Sequence, residues 1–95
     1  MADNRNLLVV DDEEEIATAL VQLLKDEGFK ALAAFTGEQA LDTMKHKKCD
    51  ILITDIRMPQ MDGIELIRKT NELDKDILTI ILTGHGDIDT AIEAM

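Results

Sequence analysis

Four short apolar runs punctuate the chain, and the stretches between them carry a different period. Residues 6–10 (Asn-Leu-Leu-Val-Val), 29–35, 50–54 and 77–82 read as strands, with the alanines of 29–35 making that run the weakest former. From about Glu14, Ile16, Leu20, Leu23 and Leu24 recur at helical spacing, and Gly28 supplies a C-terminal stop. Thr36 and Gln39 form a capping box for a helix through Ala40, Leu41 and Met44 to about Lys47. Asp62 and Glu65 open another through Ile64, Leu66 and Ile67, over 64–71. The run 77–82 is apolar at nearly every position, which predicts a strand covered on both faces. Gly84-His85-Gly86 then makes a loop, and Asp87 can cap a last helix through Ile88, Ala91, Ile92 and Met95. Strands alternating with helices at this spacing predict an α/β chain, a doubly wound parallel sheet with helices on both faces.

The stretch 51–63, Ile-Leu-Ile-Thr-Asp-Ile-Arg-Met-Pro-Gln-Met-Asp-Gly, is the centre of that pattern. Asp55 falls where the buried strand should end, so its carboxylate is carried to the tip of a rigid element. Pro59 forbids regular pairing and pushes Met58 into an extended conformation.

Ninety-five residues bound the chain to one small domain. Lys plus Arg total 10 against 20 Asp plus Glu, a net charge of -10. Non-specific nucleic-acid binding needs a basic footprint, so direct contact with nucleic acid is not expected. An apolar content of 45% excludes a disordered acidic tail. No apolar run approaches the roughly 20 residues that cross a bilayer, and the first residues lack the form of a secretory signal. With a single cysteine, Cys49, there is no disulfide framework, and a cytoplasmic home is expected. Cys49 itself reads as a small buried residue rather than a redox group.

Parallel sheets place ligands beyond the carboxyl ends of their strands, where strand order reverses. Three runs deliver polar residues there: Asp11 and Asp12, Asp55, and Thr83. Nothing comparable marks the opposite edge. Crowded carboxylates repel unless protons or a cation absorb their charge. Oxygen-only ligands select a hard divalent ion, and Mg²⁺ fits best because it accepts one or two carboxylates and then phosphate oxygens. One carboxylate could then act as a nucleophile toward phosphorus.

Plainer readings account for other residues. Glu13 to Glu15 suit a helix N-terminus, and Asp62 is a cap. His46, among Lys45, Lys47 and Lys48, belongs to a solvated helix end, and His85 to a loop. The methionines 44, 58, 61 and 95 are packing residues or loop anchors.

The acid pair after the first run, Thr-Asp-Ile-Arg-Met-Pro-Gln-Met-Asp-Gly, and Leu-Thr-Gly-His-Gly-Asp together resemble the receiver domain of bacterial two-component response regulators. The resemblance covers all 95 residues. Thr-Gly-His-Gly-Asp-Ile is most similar to receivers of activators that work through an ATPase module and an alternative, sigma-54-type factor. It implies a flavodoxin-like fold with strand order 2-1-3-4, and a phosphoryl group accepted by Asp55 from the phosphohistidine of a sensor histidine kinase. Asp12, Asp55 and the backbone carbonyl of Arg57 would bind Mg²⁺ directly, with Asp11 acting largely through water. Thr83 would be the switch hydroxyl, and the Arg57 side chain would face solvent and tune access to the acyl phosphate. The domain would control an output module or downstream protein, with transcription the expected output, and would turn over only its own acyl phosphate.

A whole receiver continues through a fifth strand and helix, with a lysine and an aromatic switch residue that find no match here. The chain is therefore expected to be a receiver domain, 1–95, incomplete at its C-terminus, and to form a homodimer or swap elements through the edge left exposed. Two alternatives differ in class. A Mg²⁺-dependent phosphohydrolase would also use Asp55, although such enzymes place a second acid where this chain has Arg57. A phosphate-independent pseudo-receiver would have no need for mutually repelling acids.

Overall fold

The computed structural model describes residues 5–82, and the sequence expectations for Thr83, His85 and the helix from Asp87 lie outside them. Within it, β1 (Asn6–Val10), α1 (Glu14–Asp26), β2 (Lys30–Ala34), α2 (Gly37–His46), β3 (Ile51–Asp55), α3 (Gly63–Leu73) and β4 (Leu78–Leu82) follow one another in strict alternation. The strands form one parallel sheet in the order β2-β1-β3-β4. The chain steps to one side of β1 to make β2 and to the other to make β3. The strand order therefore reverses between β1 and β3.

Strand periodicity divides the core into two layers. Leu8 and Val10 face one way and pack with Ala34, Ala40, Leu52 and Leu66, under α2 and α3. Leu7 and Val9 face the other way with Ala17, Val21, Ile51 and Ile53, under α1. Local signals fix the helix ends. Gln39 N–H donates to Thr36 Oγ1 at 3.0 Å, and the Gln39 side chain accepts from Phe35 N–H at 2.7 Å, one residue before the cap. Gly28, at φ 97, leaves α1 through the left-handed region that favours glycine.

The apolar spacing located α1 correctly: its buried residues are Ala17 and Val21, Leu20 and Leu24 pack beside them, and Ile16 and Leu23 are 47% and 58% exposed. Two expectations need correction. β3 runs one residue further than expected, and Asp55 is its last paired residue, opposite Leu82. β4 is not covered on both faces: Leu78 and Ile80 are 56% and 43% exposed. It is one of the two edge strands of the described sheet, so an apolar run here does not report burial.

Candidate functional site

Asp11 and Asp12 leave the end of β1, and Asp55 closes β3, the two strands that flank the reversal of strand order. β1 and β3 pair rung by rung from Leu7 with Ile51 to Val10 with Thr54. The acids continue that ladder at its carboxyl end. One carboxylate oxygen from each of Asp11, Asp12 and Asp55 lies within 4.8 Å of the others. Asp11 is buried, Asp55 half-buried and Asp12 exposed, so the cluster grades from the sheet to solvent.

Asp11 is held on two sides. Its N–H donates to Ala34 O at 3.2 Å, extending the pairing with β2, and its Oδ1 accepts from Glu13 N–H at 3.0 Å. Burial pushes its carboxyl above the ordinary value of 3.8. The Glu13 N–H pulls the other way, and the charges of Asp55 and Asp12 add to the rise. Desolvation and repulsion together outweigh the hydrogen bond, so a cation here would relieve a cost already present in the fold.

The loop after Asp55 is tied down. Met58 and Met61 are buried in the α2–α3 layer, as expected of loop anchors. Gln60 takes φ 68, a strained conformation for a residue with a Cβ. Gly63 N–H donates to Ile56 O at 2.8 Å, closing the loop, and Glu65 N–H donates to Asp62 Oδ1 at 2.9 Å as the cap of α3. A Cβ on Gly63 would overlap the backbone carbonyl of Asp55 and come within 2.9 Å of Ile56 Cα. Only glycine lets α3 start this close to the acid-bearing strand.

Sequence reasoning placed Gly63 in the motif without assigning it this task. A glycine directly after a capping Asp, where a stronger helix former is ordinary, was the available signal. Thr54 was missed too: wholly buried, it donates Oγ1–H to Asp55 O at 2.9 Å. Of the other expected site residues, Arg57 is exposed, two positions past the strand, and Thr83 lies outside the described residues. Asp62 and His46 keep their plain readings, with His46 Nδ1 2.9 Å from Asp42 O at the exposed end of α2.

The model of the response regulator receiver domain matches residues 7–95. The chain belongs to that family. This receiver domain is 34% identical over 91 residues to sporulation initiation phosphotransferase F of Bacillus subtilis, covering 96% of the chain and 73% of that protein. It is 38% identical over 90 residues to the transcriptional regulatory protein ZraR of Klebsiella oxytoca, covering 95% of the chain but spanning only 20% of that protein's length. Among solved structures, TrrA of Thermotoga maritima in complex with Mg²⁺–BeF superposes with a TM-score of 0.85 at 32% identity, covering 95% of this chain and 78% of that one. The flavodoxin-like fold and strand order 2-1-3-4 expected of a receiver domain are those observed. Among the described residues, no helix is long and apolar enough to cross a membrane.

Proposed function

We propose that the domain is a phosphoacceptor switch in which Asp55 takes a phosphoryl group from the phosphohistidine of a sensor histidine kinase. The observation that carries this reading is the meeting of three carboxylates, from two adjacent strand ends, within 4.8 Å. The donor set suits Mg²⁺: it is all oxygen, and burial with the neighbouring charges of Asp55 and Asp12 raises the Asp11 carboxyl, a cost that a cation would offset. Asp12, Asp55 and the backbone carbonyl of Arg57 would hold the ion, with Asp11 acting through water. Bound there, Mg²⁺ supplies charge compensation for the phosphoryl oxygens. Asp55 provides the nucleophile: a carboxylate oxygen forms the bond to phosphorus as the N–P bond breaks, and the departing imidazole nitrogen takes up a proton. Thr83 is the hydroxyl that would donate to the transferred group, which couples phosphate arrival to a shape change. The transcriptional regulatory proteins among the relatives favour transcription as the output.

The test is Mg²⁺ titration followed by a small acyl-phosphate donor, on wild type and Asp55→Asn. One acid-stable, base-labile phosphate per chain is expected in wild type and none in the variant. Equal labelling of both would overturn the assignment, and rapid multiple turnover of a phosphomonoester would move it to a hydrolase.

A further inference from the structure

The amino-terminal rim of the sheet, opposite the acids, holds a cavity of about 660 Å³ between the start of β2 and the end of α2. Its origin is local. β2 sets Lys30 and Leu32 opposite Asn6 and Leu8. α2 stops at His46, and Lys47 turns away in an extended conformation, so the lower half of β2 is left partly uncovered and Leu32 is 42% exposed. Four lysines line the space, Lys25 from the α1 side and Lys30, Lys47 and Lys48 around the rim, together with apolar residues of both faces of the sheet, among them Leu7, Leu8, Ala31 and Leu32. This gathers four of the 10 basic residues of a chain with net charge -10.

Favourable ends of helix dipoles explain Lys25, in the last turn of α1, and Lys47, at the end of α2. They do not explain Lys30 on a strand or Lys48 on a loop. Asp50 Oδ1 lies 3.9 Å from Lys48 Nζ, a loose pair in which Lys48 stays 79% exposed. The volume lies within the roughly 300–1,000 Å³ of small-molecule sites. Apolar walls next to four cationic side chains select a head group and a body together.

The geometry points to a binding site at this rim for a small organic anion, a carboxylate or phosphate monoester on a short apolar body. It is independent of phosphate chemistry at Asp55. Cys49 also lines the cavity; its thiol is pushed up to about 11, mainly by burial, and so stays neutral and adds to the apolar walls rather than repelling an anion.

Backbone amide NMR of the chain, titrated with octanoate and with octyl phosphate, tests the site. Saturable shifts at Leu8, Leu32, Thr43 and Cys49 are expected, with the amides of Asp12 and Asp55 unmoved. The two head groups separate the sources: tighter binding of octyl phosphate assigns a phosphate ester, tighter octanoate a carboxylate. Lys30→Glu with Lys47→Glu, both on exposed side chains, should weaken binding at least tenfold, while Lys69→Glu with Lys75→Glu should leave it within twofold. Equal binding of octylammonium, the same shifts from inorganic phosphate alone, or no saturable response would each overturn the proposal.

Discussion

The two rims of the sheet differ in how their charge is built, not only in its sign. At the carboxyl rim, short side chains sit on or next to paired strand ends, and the backbone fixes them through Ala34, Glu13 and Gly63. At the amino rim, long side chains hang from helix ends and a loop, and only Lys30 lies on a strand. The first arrangement forces like charges together and destabilises the fold when no cation is present. The second lets like charges spread through solvent at little cost. Preorganised strain therefore belongs to the acid rim alone.

Substitutions should expose that asymmetry, beginning with the scaffold. Gly63→Ala must displace the Asp55 carbonyl or Ile56 Cα, so it should lose about 3 kcal/mol of stability in denaturant unfolding. Alanine at Gly63 with unchanged stability would mean the close approach is not a constraint. Mg²⁺ at 100 times its dissociation constant should stabilise wild type by about 2.7 kcal/mol, and Asp12→Asn should remove most of that gain. NaCl at the same ionic strength serves as the control.

A smaller effect runs in the opposite direction. Asp11 holds its proton to a higher pH when folded than when unfolded. Its contribution to stability is thus present below about pH 3.8 and is lost as pH rises through the folded value. Asp11→Asn should stabilise the Mg²⁺-free chain at pH 7, with the gain shrinking toward pH 3 and the Mg²⁺ response weakened. Thermal unfolding across pH with a chelator present reads this directly. At the amino rim, Lys30→Ala should change stability by no more than about 0.5 kcal/mol, and any effect should fade with salt. A larger loss there would erase the contrast.

Much of this was legible in the sequence because it is local. The caps at Thr36 and Asp62, the stop at Gly28 and the acids at 11, 12 and 55 each announce themselves within a few residues. What depends on separated segments was not. Lys25, Lys30, Lys47 and Lys48 look like scattered surface charge until the sheet collects them, which is why the amino edge read as unmarked. Apolar residues at helical spacing located α1 but did not say which of its residues meet the sheet: Ala17 and Val21 are buried there, while Ile16 and Leu23 are exposed. The exposure of Leu78 and Ile80 depends on what lies beside β4, which no local pattern records.

The ladder between β1 and β3 has one more implication. Sliding either strand by a single residue would turn its whole row of side chains to the other face, and the acids would no longer meet. A divalent ion that requires all of them would bind only chains whose strands are correctly aligned, and by mass action would draw misaligned ones toward the native pairing. The same oxygens that would receive a signal would then also act as a quality check on assembly.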